Sequence, residues 1–372
     1  MSGSVLRIAV IAPLRFPIRR PHAGGLEAAV WSEVEALRAR GHEVTVVAVT
    51  GSEHVESGSV WEMPELAWDA GAARTDKTYP PAYETLSVPM LRRALETIGA
   101  RAGDFDVISN HCLHALPLQM APQLDVPMVT TLHTPVDDDF VRAHHAAAGR
   151  GSIFLSVSEH TRREWQHAGV ASALLSNGVD PRVWAAGPGG DELVWFGRIV
   201  PEKAPHLAIA VARALGRRLT IAGRVGDRAY AEEVFGPLLG DDITFVGELD
   251  PSGLAELVGR SAVALATPAW AEPFGLVGPE ALMCGTPVVG FAVGGVPEIA
   301  AASVGMRLVG AGDVAAMAEA VEEVWDRAGD PLFRAAVRAR AVECFSLDAR
   351  TTALEEVFGA LSAEAAPAEL PA

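Results

Sequence analysis

Cysteine, basic residues and long apolar runs are all scarce in this chain, and each scarcity closes off a class of protein. The 372 residues hold three cysteines, Cys112, Cys284 and Cys344, far apart and without a C-x-x-C pair. Scattered thiols of this kind read as reduced, mostly buried residues of a cytoplasmic protein and offer no ligand set for a structural zinc. Lysine and arginine number 30 against 47 acids, a formal net charge of −17, and both halves of the chain are acidic. A nucleic-acid binder or a protein held on anionic membrane needs a basic face. The chain offers only a small cluster at Arg15, Arg19 and Arg20. No stretch approaches the ~20 apolar residues of a membrane span. The start of the chain runs straight into an apolar strand at 5–12, without the basic start, apolar run and cleavage site of a signal peptide. There is no G-x-S-x-G, no G-x-x-x-x-G-K and no H-E-x-x-H, so serine hydrolase, P-loop kinase and zinc protease chemistry have no support.

What the chain does have is alternation. At 49% hydrophobic and 21% charged it has a globular balance, and its length suggests two or three domains. Apolar, β-branched runs at 6–11, 43–49, 106–109, 128–131 and 153–157 are separated mostly by helix-like segments such as 26–40 and 159–168, with Gly41 as a stop signal. After a turn-forming stretch, Asn177-Gly178-Val179-Asp180-Pro181, a second series follows at 193–196, 219–222, 243–246, 263–266, 288–291 and 306–309. Strand alternating with helix means a parallel sheet covered on both faces. The expected architecture is therefore α/β, two doubly wound, Rossmann-like domains facing each other across a cleft. Residues 1–177 form the first, 178–191 a linker and 192–345 the second. Residues 346–372 are expected to supply a C-terminal helix that crosses back to the first domain and then a disordered end. Residues 51–90 show no clean period and read as a long irregular loop carrying Trp61, Trp68, Tyr79 and Tyr83.

Two segments of the second half carry the chemistry. In the run from Glu272 to Glu280, a strand at 263–266 leads through a loop to a helix from about Val277, with Pro279 in its first turn. Phe274, Gly275 and Leu276 present backbone N–H groups at the start of that helix, where an anion is favoured. Two carboxylates beside an anion site suit a ligand bearing both hydroxyls and phosphate. Glu280 fits equally well as a simple complement to the helix dipole. Upstream, Arg198 leaves the end of a strand and Lys203 opens the next helix. A guanidinium and an ammonium placed so can hold a pyrophosphate and neutralise it as it leaves, without a metal. Taken alone, the pair also fits two surface cations, with Lys203 bridging to Glu202 or another acid.

The Glu-x7-Glu segment, the Arg-x4-Lys pair, Asn177-Gly178-Val179-Asp180 and the closing Gly294-Gly295-Val296-Pro297-Glu298-Ile299 together resemble the retaining glycosyltransferases of family 4, with the GT-B fold. The likeness covers nearly the whole chain and is densest over 177–300. It implies a metal-independent, retaining transfer of a sugar from a nucleoside diphosphate sugar to an acceptor hydroxyl, in carbohydrate or natural-product biosynthesis. It implies that Glu280 holds the donor ribose, Glu272 the hydroxyls of the transferred sugar, Arg198 and Lys203 the diphosphate, and the amides of Phe274, Gly275 and Leu276 phosphate and sugar. It sets the base near Glu248 and Leu249. Ala204 departs from the glycine common in the family after the lysine, and Gly278-Pro279 before Glu280 is also unusual.

In the first half, Gly24-Gly25 open a helix where the family has a Gly-Gly loop facing the donor diphosphate; read alone, the pair is a flexible turn. His133, at the carboxyl end of a strand, matches a family histidine that contacts the transferred sugar. His111, His114, His144 and His145 match nothing and are assigned to surface or core. Asp137-Asp138-Asp139 contains an Asp-x-Asp, but it sits at a helix start, where acids are favoured without any metal. No cofactor is expected beyond a UDP, GDP or ADP sugar as co-substrate. The acceptor is a small molecule, a glycoside or a lipid-linked compound, with no nucleic acid and no integral membrane segment. Other readings are a sugar-nucleotide epimerase, a two-lobed sugar-binding protein, and a ligand-holding homologue that has lost catalysis.

Overall fold

The computed structural model describes residues 5–69 and 78–365. The disordered end expected at 366–372, and positions 70–77 of the expected loop, lie outside the described residues. The chain divides into two compact units. The first takes the residues up to Asp69, Tyr79–Ser176 and those from Asp348 onward; the second takes Asn177–Leu347.

The first unit is built on a seven-stranded parallel sheet: β1 (Arg7–Ile11), β2 (Glu43–Val49), β3 (Glu62–Met63), β4 (Val107–Asn110), β5 (Met128–Leu132), β6 (Ile153–Ser156) and β7 (Ala173–Leu174), in the order β3-β2-β1-β4-β5-β6-β7. β1 pairs on one side with β2, Ile8 opposite Val44, and on the other with β4, Ile8 opposite Val107. The central strands β1, β4 and β5 are buried almost along their whole length because helices cover both faces, and the polar residues they carry include Ser109, which donates to Glu33, and Asn110, which donates to Thr130. The helix Gly25–Ala39 lays Val30, Val34 and Leu37 on the core and ends before Gly41, whose φ of +93° only glycine adopts without strain. β3 falls inside the stretch expected to be irregular, and the helix Val88–Ala100 begins at its end. A two-residue strand shows no measurable period.

The second unit holds six parallel strands, β8 (Leu193–Phe196), β9 (Leu219–Ala222), β10 (Ile243–Phe245), β11 (Val263–Ala266), β12 (Val288–Phe291) and β13 (Met306–Val309), in the order β10-β9-β8-β11-β12-β13. The stretch 178–191, expected as a linker, packs into this unit. The Gly187 amide donates to the Cys284 carbonyl, and a Cβ on Gly187 would stand 2.2 Å from the Gly259 carbonyl. The tail forms two helices, Pro331–Phe345 and Leu347–Ala365, and the second buries Leu354 and Phe358 in the core of the first unit. In each sheet the chain leaves the central pair of strands in opposite directions, between β1 and β4 and between β8 and β11. The carboxyl ends at such a reversal form the crevice where ligands of doubly wound folds bind. Among the described residues no helix is long and apolar enough to cross a membrane.

Candidate active site

In the second unit the reversal point is occupied by the two loops singled out from sequence. Gly197–Lys203 follows β8, and Thr267–Leu276 follows β11. Thr267 ties them together: its hydroxyl accepts from the Trp195 indole (2.9 Å) and faces the Lys203 and Ala204 carbonyls at 3.1 Å each. The Ala269 amide donates to the Glu202 carbonyl at 2.8 Å. Ala204, in the place of the family's glycine, takes the left-handed conformation that glycine would, at φ +47°.

A cavity opens between these loops, lined by Trp195, Lys203, Thr267, Glu272, Gly275 and Met306 among others. The Lys203 ammonium is ion-paired with the Glu272 carboxylate, which is almost wholly buried. Lys203 therefore does not bridge to Glu202. That acid stands 3.6 Å from Arg198, whose side chain is 13% exposed and so is no free surface cation. Glu272 is held from behind by its own backbone. The Gly295 amide donates to the Glu272 carbonyl at 2.8 Å, and a Cβ on Gly294 would stand 2.1 Å from that same oxygen. Gly275, at φ +96°, brings its Cα face to the carboxylate, where a Cβ would lie 3.2 Å from Oε2. The Gly-Gly of the closing motif thus acts as a rest for the loop that carries Glu272.

Glu280 lies in the helix Val277–Met283, half-buried. Burial pushes its carboxyl up to about 8, with Lys203 opposing. Phe274 is buried, Leu276 caps the helix, and neither these two nor Arg198 nor Glu280 lines the cavity. Glu248 and Leu249 follow the edge strand β10, the first exposed and the second half-buried.

In the first unit, Gly24 is the N-cap of the helix that Gly25 begins. Asp137 caps the helix Asp138–Ala147, its carboxylate accepting from the Asp139 and Phe140 amides. Among the described residues no group of three or more His, Cys, Asp or Glu could hold a metal ion. His133 follows β5, and its Nε2 lies 2.9 Å from Nδ1 of His111. His111, at the end of β4, is core rather than surface, yet it is not idle: its Nε2 lies 2.8 Å from Glu33. Glu33 in turn accepts from the Ser109 hydroxyl (2.7 Å) and from Arg350 (3.2 Å). Burial alone pushes the Glu33 carboxyl up, but His111, Arg350 and Ser109 outweigh it and hold it well below the usual carboxylate range. Burial pushes His133 well below the ordinary histidine value, with Arg350 acting in the same sense and Glu33 opposing.

Sequence reading missed Glu33 and Arg350. Both break an apolar stripe: Glu33 falls between Val30, Val34 and Leu37, and Arg350 four residues before Leu354 and eight before Phe358. A charge at a core position of an amphipathic helix is a signal that it has a buried partner. The Arg15 guanidinium, also buried, stands 5.6 Å from the Phe16 and Trp68 rings and 5.8 Å from Tyr79.

Comparison with known proteins bears on both units. Residues 23–183 match the family model "Glycosyltransferase Family 4", and residues 180–337 match "Glycosyl transferases group 1". The D-inositol 3-phosphate glycosyltransferase of Mycolicibacterium smegmatis is 28% identical, over 90% of this chain and 87% of its own. The phosphatidyl-myo-inositol mannosyltransferase of the same organism is 29% identical, over 91% and 89%. Among solved structures, HepE of Anabaena in complex with UDP and glucose superposes with a TM-score of 0.71 at 17% identity, covering 95% of this chain and 99% of that one. Sucrose-phosphate synthase from Thermosynechococcus elongatus gives 0.74 at 20%, covering 96% and 100%.

Proposed function

The chain belongs to the glycosyltransferases of family 4, with the GT-B fold, and from that premise we propose that it is a retaining, metal-independent enzyme using a nucleoside diphosphate sugar as donor. The observation that carries the reading is the Lys203–Glu272 ion pair at the reversal point of the second sheet. Parting such a pair and leaving either charge alone in a buried site would cost several kcal/mol, about 3–5. A ligand that enters must therefore satisfy both ends. A nucleoside diphosphate sugar does so: its diphosphate replaces the carboxylate for Lys203, and the hydroxyls of its sugar donate to Glu272.

In this reading Arg198 joins Lys203 on the diphosphate and stabilises the charge that builds on the leaving phosphate oxygen. The amides of Phe274, Gly275 and Leu276 assist there, Glu280 accepts from the ribose hydroxyls, and Glu248 and Leu249 flank the base. Gly24 and Gly25 serve the diphosphate, and His133 and Glu272 orient the transferred sugar. The acceptor hydroxyl attacks the face the phosphate leaves from, giving up its proton to the departing phosphate. Configuration is then retained. The names of the mycobacterial relatives make inositol phosphates and phosphatidylinositol the first acceptors to try.

Two measurements test this. A thermal-shift screen of UDP, GDP, ADP and their sugars should single out one base, because binding to the folded state raises the melting temperature. With that donor, Lys203→Ala should lower turnover by roughly 10²–10³-fold, the size of losing a preorganised group at a developing charge, with an unchanged circular dichroism spectrum. Undiminished turnover would remove the diphosphate assignment.

A further inference from the structure

The first unit contains a chain of polar groups of which the reaction as described uses only the last. It runs from Arg350 through Glu33 and His111 to His133, and its four members come from four separate parts of the sequence. Glu33 and His111 are buried to within a few per cent, and the Arg350 side chain is 7% exposed. Arg350 is anchored at its other nitrogen, where Nη1 donates to the Leu175 and Ser176 carbonyls at 3.0 and 2.9 Å. The Nδ1 atom of His133 makes no hydrogen bond among the described residues.

Charge and donor counting set the protons. Glu33 is ionised and accepts only, so Nε2 of His111 must carry a hydrogen to face it. The single negative charge of Glu33 is already matched by Arg350. A second hydrogen on His111 would leave an unmatched positive charge in the core, which is costly. Charge balance with Glu33 and Arg350 thus favours one hydrogen on His111, the one that faces Glu33, and this leaves its Nδ1 a bare acceptor. The 2.9 Å contact is then a bond only if Nε2 of His133 donates it. We propose that Arg350, Glu33 and His111 are positioning residues that hold His133 as its Nε2–H tautomer, so that its free Nδ1 accepts a hydroxyl hydrogen from the bound sugar. A second partner that fixes the tautomer of a working imidazole is a recurrent device. Here the device is two residues deep and is closed by the C-terminal helix. The catalytic consequence rests on the reading of His133 as a sugar contact; the tautomer does not.

Glu33→Gln provides the discriminating variant. An amide has one acceptor, and the fixed donor Arg350 claims it, so the –NH₂ turns to His111. The Ser109 hydroxyl, 3.0 Å from His111 Nε2 and no longer drawn to a carboxylate, also turns its hydrogen to that nitrogen, so His111 becomes Nδ1–H and His133 is driven to accept at Nε2 and to carry its hydrogen on Nδ1. Nitrogen-15 NMR of the full chain labelled in histidine, with His111→Gln and His133→Gln spectra for assignment, reads this directly. Both rings should be Nε2–H in the unliganded wild type, and His133 should switch to Nδ1–H in Glu33→Gln. Turnover of the donor selected by the thermal-shift screen should fall roughly 10²-fold in that variant. Its affinity for the corresponding nucleoside diphosphate should change by less than about threefold, and Glu33→Asp should restore part of the rate. An Nδ1–H or doubly protonated His133 in the wild type overturns the proposal even if the variant does not fold. A tautomer switch with unchanged turnover overturns the catalytic half. If no sugar nucleotide is turned over at all, the proposed function fails while the wild-type spectrum still decides the relay.

Discussion

At pH 7 a carboxyl pushed up to about 8 is mostly protonated, and Glu280 is such a group. Its folded value lies above its unfolded one. The neutral form therefore adds stability that is fully present below the ordinary carboxyl range and is lost as the pH rises through about 8. A nucleotide that donates two ribose hydroxyls needs the ionised form. Between pH 7 and 9 the ionised fraction rises by about tenfold, while diphosphate charge is already complete. Titration calorimetry should show the dissociation constant of the selected nucleoside diphosphate falling by roughly that factor over this window, and a flat profile in Glu280→Gln. A wild-type profile that is flat or rises would show that Glu280 does not meet the ribose. The carboxylate itself stands out in the Glu-x7-Glu spacing; its displaced protonation does not, because that depends on the walls around it.

Turns decide whether the loops hold their residues in place. Gly294 and Gly312 both have positive φ, +55° and +74°, but only the first has backbone against it, with the Glu272 carbonyl 2.1 Å from where a Cβ would be. Gly312→Ala should lower stability by about 1–2 kcal/mol, the cost of a side chain in left-handed backbone, and leave donor affinity alone. Gly294→Ala should cost more and also weaken donor binding, since the Glu272 backbone must move. Urea denaturation and nucleotide titration of the two variants make the comparison; equal losses would mean the Gly-Gly turn is not the rest for Glu272. The helices and strands themselves were largely legible. Eleven of the strands and the helices Pro205–Leu215 and Val314–Ala328 stand within a residue or two of where periodicity sets them. β3, β7 and the helix Val88–Ala100 were not, two being too short to show a period and the third following a stretch rich in proline and tyrosine.

For the molecule as a whole, the last helix belongs to the first unit although the second precedes it in the chain. Ending the chain at Leu347 removes Leu354 and Phe358 from that core and takes Arg350 away from Glu33. Each large side chain is worth about 2–5 kcal/mol, and a buried carboxylate stripped of its guanidinium counter-charge costs a similar amount, so the first unit should no longer fold. Limited proteolysis should then digest residues up to Ser176 and spare Asn177–Leu347, which should still bind the nucleoside diphosphate. Protection of both units would contradict the placement of the core. Patterns along the chain were enough to set the two parallel sheets, the succession of their elements, and the placing of Arg198 and His133 at strand ends, of Glu272 on its loop and of Lys203 and Glu280 at helix starts, because periodicity and turn residues act over a few neighbours. Only the tertiary structure decided that Lys203 meets Glu272, that Gly294 backs that loop, and that Arg350 closes on Glu33 and through it on His133. Those contacts join residues tens to hundreds of positions apart, and desolvation and charge pairing act on distance in space, which no local pattern records.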